Sequence, residues 1–430
     1  MKQHYEAIDG EILRQVTLGN IKCETRIKNV ADDMQDAEGA WWQSALRGER
    51  PRFDGQRGKL KIVDAFCGSG GFALGMHFAA EALNYRTAFE AAIDTDDAAV
   101  EVHRHNLGTK RPMSESVTRL VDYAVSGLGE DATFGYEPEI ISQSLSAIRS
   151  TDLFIAGPPC QGHSNLNNHT RRQDPRNGLY VTSVALGVAL KARAIIIENV
   201  PTVQNSHRDV VATSIGLLKD AGYAITSGVL KADDFGAPQR RNRHFLIGIL
   251  GGNFEENALT EFSEAQKASG RPLSWAIGDL VDLKGATLWD QAPEPTPVNR
   301  DRIDYLFNND IYDLPDHQRP DCHKNGTTYT SVYGRMYWDR PSQTITTGIG
   351  TPGQGRYIHP MRRRVITPHE AARIQGFPDW FEFAPDGVPL KRKNVAKWIG
   401  DAVHPVLGYM TGMFALRELQ VVEARQSIAA

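Results

Sequence analysis

Leu60-Lys61-Ile62-Val63-Asp64-Ala65-Phe66-Cys67-Gly68-Ser69-Gly70-Gly71 is the stretch on which the fold turns. It opens as an apolar run, read as a strand ending at Phe66. The glycines break that run and let the backbone approach a ligand closely. From Phe72 to Leu83 the chain reads as a helix, so the turn sits at a helix N-terminus, whose free N–H groups suit a nucleotide ligand. The pattern lacks the Gly-Lys-Ser/Thr end of a P-loop and does not complete the dinucleotide fingerprint. Taken alone it is either a nucleotide-cofactor site in outline or a plain tight connection. A second strand over Thr87–Ile93 ends at Asp94, with Asp96 just beyond. A carboxylate at a strand end, about 25 residues after such glycines, is placed to hold a ribose diol. Together these features indicate an α/β chain with a ribose-containing cofactor.

The next strand, Asp152–Ile155, is stopped by Gly157-Pro158-Pro159. The turn carries Cys160 to the C-terminal edge of a sheet, where open α/β sheets bind their ligands. A cysteine there is either a nucleophile or a small buried hydrophobe. Two prolines and a glycine are poor core, which favours the nucleophile. Gly162 to Asn177 is polar and holds Arg171, Arg172 and Arg176, so it reads as a basic loop over the site or as a solvated surface loop. A helix over Tyr180–Lys191 leads to an apolar strand ending in Glu198-Asn199-Val200-Pro201. A carboxyl group at such an end is partly desolvated and its proton affinity raised, which suits an acid catalyst. Gln239-Arg240-Arg241-Asn242-Arg243 precedes a strand over His244–Leu250. If that strand starts early, Arg241 and Arg243 point the same way, as a pair for a carbonyl or phosphate oxygen.

A chain of 430 residues can bury a large core and divide into two or three domains. Its net charge of −4 says little about nucleic acid, whereas basic clusters at 239–243, 362–364 and 391–393 supply local patches. Four cysteines without a short repeat spacing argue against a disulfide framework or a zinc ribbon. Cys322-His323 lacks further ligands at metal-binding spacing, so no metal is expected. The longest apolar stretch, Val184–Ile197, is interrupted by Lys191 and Arg193, and the N-terminus opens no signal-like run. A cytoplasmic protein without a membrane span is expected. Residues 1–58 are polar and mixed in charge, with Trp41-Trp42 in a helix and Pro51–Gly58 as a linker. They either pack on the next domain or extend a DNA footprint. Residues 110–150 read as loop-rich, and Pro293–Pro297 as a loop.

In this order, Asp64 to Gly71, Gly157-Pro158-Pro159-Cys160-Gln161, Glu198-Asn199-Val200 and Gln239-Arg240-Arg241-Asn242-Arg243 closely resemble the C5-cytosine DNA methyltransferases. The likeness continues from Arg364 to Pro378 and ends at Gly400-Asp401-Ala402-Val403, and Arg340 to Thr347 resembles a segment near the recognition region of bacterial members. The resemblance implies an α/β fold: a doubly wound, Rossmann-like S-adenosylmethionine-dependent methyltransferase domain with a smaller target-recognition domain. It divides the chain into an N-terminal extension (1–58), a catalytic and cofactor-binding domain (59–250), a target-recognition domain (251–385) and a C-terminal segment (386–430) returning to the catalytic domain. It assigns catalysis to Cys160, Glu198, Asn199, Arg241 and Arg243. It gives the cofactor to Phe66, Gly68, Ser69, Gly70, Gly71, Asp94, Pro158, Asp401 and Val403. It gives DNA to Gln161, Ser164, Arg171, Arg172, Arg176, Gln239, Arg335 and Thr346.

The chemistry so implied is thiolate addition to carbon 6 of a cytosine flipped out of duplex DNA, followed by methylation at carbon 5. Double-stranded DNA is the implied partner, with a cognate restriction endonuclease where the chain serves a restriction-modification system. Two positions depart from the family. Asp94 stands where Glu is common, and Asp401 stands where Asn is usual, exchanging a donor-acceptor for an acceptor. A branch that methylates tRNA typically carries Cys-Phe-Thr, which this sequence lacks. A non-catalytic DNA-binding relative would have lost the thiol or the acid, and this chain has both.

Overall fold

A computed structural model describes residues 1–33, 35–159, 178–205, 209–324 and 331–429. Three N-terminal strands, β1 (Lys2–Ile8), β2 (Glu11–Leu18) and β3 (Ile21–Lys28), form an antiparallel sheet of their own. The main sheet is built from β4 (Lys59–Ala65), β5 (Arg86–Asp94), β6 (Pro112–Ser114), β7 (Leu153–Ala156), β8 (Ala194–Asn199), β9 (Tyr223–Lys231) and β10 (Asn242–Leu250). Its order is β9-β10-β8-β7-β4-β5-β6. β4 to β8 pair in parallel, while β10 runs antiparallel to both β8 and β9. The chain therefore builds outward from β4 to β6 and then returns to the other side of β4 for β7 and β8. This reversal leaves a crevice between the C-terminal ends of β4 and β7.

Eight helices of ten residues or more lie among the described residues: α1 (Ala37–Leu46), α2 (Gly71–Ala82), α3 (Asp97–Leu107), α4 (Gly178–Ala189), α5 (Val210–Asp220), α6 (Pro297–Asn308), α7 (Arg392–Asp401) and α8 (Pro405–Ala429). The central strands are apolar on both faces because both are covered. Ile62, Ile155, Ile196 and Ile247 enter one core with α2 and α8, whereas Val63, Phe154, Ile195 and Leu246 enter a second with α4 and α5. Met410, Met413 and Leu416 of α8 pack into the first core. Where α2 meets α8, a Cβ on Gly75 would lie 2.3 Å from Pro405 O and 2.6 Å from Gly408 Cα. Only a bare backbone fits there.

The N-terminal region packs on the sheet, the first of the two alternatives left open by the sequence. β3 buries Ile21, Cys23, Thr25 and Ile27 and exposes the residues between them. Val16, Leu18, Ile21 and Cys23 join the core under α2 and α8, and Trp42 meets Tyr409 edge-on at 5.4 Å. Arg14 is buried with its guanidinium 4.4 Å over the Trp41 ring and its Nε donating to Thr25 Oγ1. The stretch 110–150 is loop-rich, interrupted by short strand pairs of two residues each, Val121–Asp122 with Glu139–Ile140 and Val125–Ser126 with Thr133–Phe134. The loop expected over Pro293–Pro297 stops at Thr296, which caps α6 by accepting from Asn299 N–H, with Pro297 in the first turn. A third core joins Leu273, Met336, Ile345 and Phe377 to Leu74 of α2, Val102 of α3 and Val395 and Trp398 of α7.

Candidate active site

A cavity of about 490 Å³ opens over the C-terminal ends of the parallel strands. Phe66, Gly68, Ser69 and Gly71 line it after β4, Asp94 at the end of β5, Pro158 after β7, Asp401 at the end of α7 and Val403 from the α7–α8 connection. Of the nine expected cofactor residues Gly70 is off the wall. It precedes α2 at φ 102°, where a Cβ would approach the His103 ring at 3.0 Å. Phe66 holds φ 56°, a left-handed conformation that costs an ordinary residue energy and here turns the strand sharply into the glycines.

Asp94 braces that turn: Gly68 N–H donates to its Oδ2 at 2.9 Å and Asp96 N–H to its Oδ1 at 3.0 Å. Each oxygen keeps a further lone pair for a ligand. Asp64, 1% exposed, takes His103 Nε2 at 3.2 Å on one oxygen, while its Oδ1 and the buried Ser69 Oγ have no partner. Both residues line the cavity, and orphaned buried polar atoms are groups that an incoming ligand satisfies. A Cβ on Gly71 would lie 2.6 Å from Val403 O, so the turn is closed to any larger residue. These residues fit a polar nucleoside cofactor. Asp401 is exposed and pairs with Lys397 at 3.3 Å.

The wall includes residues the sequence reading missed. Glu115, Ser116 and Val117 follow β6, and Lys397 and Trp398 come from α7. Trp398 Nε1 donates to Asp96 Oδ2 at 2.9 Å. The available signal was Glu115, another acidic residue near a strand end, within a stretch that reads as loop.

On the other side of the cavity stand Glu198 and Arg243, joined Oε1 to Nε at 2.7 Å. Burial pushes the Glu198 carboxyl above its usual range, the charges of Arg243 and Arg241 oppose this, and the balance stays upward. Asn199 does not face the cavity. Its Nδ2 donates to Pro158 O at 3.1 Å and its Oδ1 accepts from Val200 N–H, so it pins the turn that leads to Cys160.

Arg241 does not join Arg243. The strand begins at Asn242, and Arg241, 1% exposed, donates to Ile345 O, Gly400 O and Ala402 O at 2.8, 3.0 and 2.8 Å. Gln239 is fully buried, bridging Ile345 N–H to Gln375 Oε1 and Ile374 O. Arg335 is buried with its Nε on Pro360 O and its guanidinium over Phe307 at 4.3 Å, and Thr346 Oγ1 lies 2.6 Å from Tyr357 OH. Gln239 and Arg241 tie the segments around Ile345, Gln375 and Ala402 to the start of β10, whereas Arg335 and Thr346 bond to neighbouring segments at Pro360 and Tyr357. For Gln239, Arg241 and Arg335 the physical reason is shared: a junction of irregular segments leaves carbonyls that long polar side chains satisfy. Cys160, Gln161, Ser164, Arg171, Arg172 and Arg176 lie outside the described residues. Among the described residues no three potential ligands cluster for a metal, and no helix is long and apolar enough to cross a membrane.

The family model for C-5 cytosine-specific DNA methylases matches residues 60–412. The chain belongs to that family. It is 39% identical over 369 residues to the type II methyltransferase M1.BsuMI of Bacillus subtilis strain 168, covering 86% of this chain and 83% of the relative. It is 28% identical to the type II methylase M.HgiDII of Herpetosiphon aurantiacus over 85% of this chain and 98% of the relative. In fold it is similar to a prophage-encoded DNA modification methyltransferase from E. coli, with a TM-score of 0.56 at 24% identity over 84% and 99% of the two chains. S. pombe Dnmt2 aligns with a TM-score of 0.53 at 17% identity, over 83% and 98%. The fold is thus the doubly wound one expected for a methyltransferase of this family.

Proposed function

We propose that this methyltransferase transfers the methyl group of S-adenosylmethionine to carbon 5 of a cytosine flipped out of duplex DNA. The observation that carries the proposal is the meeting, in one cavity at the sheet's switch point, of the Phe66–Gly71 turn with the Glu198–Arg243 pair. Phe66 and Asp94 would hold the adenosine side, with the glycine turn, Asp401 and Val403 toward the methionine side. S-adenosylmethionine, when bound, supplies an electrophilic methyl group.

Carbon 5 of cytosine is too weak a nucleophile to take that methyl unaided. The Cys160 thiolate forms a bond to carbon 6, and the electron pair displaced into the ring is relieved by the Glu198 proton at N3. Arg243 holds Glu198 in place and lends positive charge near the ring oxygen. Carbon 5, now enamine-like, takes the methyl; loss of its proton then returns the electrons, breaks the carbon 6–sulfur bond and frees the thiolate. A stacked base is out of reach, so the cytosine must leave the helix first. Residues 251–385 would select the sequence, and the type II relatives support a cognate endonuclease as companion in the cytoplasm.

Bisulfite sequencing of host DNA after expression should reveal protected cytosines at one recurrent sequence. A duplex carrying 5-fluorocytosine at that sequence should then trap the protein, with mass spectrometry placing the link on Cys160. An adduct that survives Cys160→Ser overturns the assignment.

A further inference from the structure

A second cavity, of about 90 Å³, lies at the seam between Gln239–Arg243 and the 335–347 segment, apart from the walls of the first. Arg240, Arg340, Arg356, Tyr337, Ser342 and Gln343 line it, and none of its lining residues is a carboxylate. Its backbone is fixed from both sides. Arg240 N–H donates to Ser342 O at 2.8 Å, and Thr344 Oγ1 donates to Arg240 O at 2.6 Å. The Arg240 side chain is therefore held outward, 62% exposed, with Asp233 no nearer than 3.9 Å.

Arg340, half exposed, lies 4.2 Å over the Tyr337 ring, which stacks on Tyr312 at 4.6 Å and 13°. It also pairs with its neighbour Asp339. Arg356 closes the back of the cavity. Its terminal nitrogens are taken by Tyr312 O, Arg335 O and Asp313, while its Nε is buried with no acceptor. Two outward guanidiniums around a buried, unused N–H donor make a seat for an acceptor-rich anion. Every charged group on the wall donates, and a phosphodiester only accepts.

We infer that this cavity receives a backbone phosphate of the duplex, with Arg240 and Arg340 as its contacts. The inference rests on the DNA-methylating reading above and adds a site that Gln239, Arg335 and Thr346, all consumed internally, do not supply. Such a contact sets the register of the duplex without reading its sequence. Because Arg240 precedes Arg243 by three residues, a strand gripped here is gripped beside the acid pair.

The test is the salt dependence of binding to a short duplex of arbitrary sequence. Arg240→Gln and Arg340→Gln should each lower the slope of log K against log salt by about 0.9, and the double variant by about twice that. Arg240→Lys should keep the wild-type slope, since it keeps the charge. Both side chains are exposed, so circular dichroism should report an unchanged fold. A wild-type slope retained in both Gln variants overturns this site and leaves the methylation proposal standing. A wild-type protein that binds no duplex at any salt overturns both. A shift in the methylated sequence with an unchanged slope would make Arg340 a base reader and overturn the phosphate assignment.

Discussion

At Glu198 two opposed influences act on one carboxyl group. Burial favours the neutral acid, and Arg243 at 2.7 Å favours the carboxylate; burial wins, so the proton is held to higher pH than on a free Glu. A group with a raised folded pKa keeps its protonated form below that pKa and loses it as pH rises through it. Single-turnover methylation should therefore decline on the alkaline side as Glu198 ionises. Glu198→Gln keeps the shape and can donate a hydrogen bond, but it cannot transfer a proton. Its rate should drop by about 10²- to 10⁴-fold, and the alkaline limb should disappear. A Gln variant with wild-type rate would remove Glu198 from the chemistry.

At the scale of elements, the crossing of α2 and α8 is decided by backbone. The atoms nearest a Cβ at Gly75 belong to Pro405 O and to the main chain of Gly408, which cannot rotate aside. Gly75→Ala must force the helices apart, although Ala is the better helix former. Overpacking of this kind costs about 1–3 kcal/mol, and urea unfolding should show that loss. Equal or greater stability in the Ala variant would show that the helices have room to slide.

At the scale of the whole molecule, burial among the described residues holds His244, His359 and His404 neutral: the first two are pushed down to about 4 and His404 to about 3. A depressed folded pKa contributes stability above the unfolded value near 6.5, and this is lost as pH falls toward the folded value. Both ring nitrogens of His244 lack partners, so Leu can replace it without breaking a bond. Between pH 7 and 5, His244→Leu should lose about 2 kcal/mol less stability than the wild type. Asp64 and Glu198, shifted upward, act in the opposite sense but are common to both proteins and cancel. A difference between the two that does not change with pH would contradict this account.

The sequence alone determined the strand, glycine turn and helix after Lys59, the acid at the end of β5, the apolar strand ending in Glu198 and the family. Each is local chemistry: apolar runs, backbone breakers and strand-end polar groups carry their meaning within a few residues. It left the N-terminal strands unread, because β1 and β3 expose every second residue or more and their mixed charges mask the alternation. Only the tertiary structure decided which polar side chains face a ligand. Arg243 and Arg241 are indistinguishable in the sequence, yet one meets Glu198 and the other meets carbonyls 104 to 161 residues away. Gln239, Asn199 and Arg335 follow the same rule. A guanidinium or amide binds whichever acceptors the chain brings to it, and a buried backbone carbonyl must be satisfied before any donor is left for substrate.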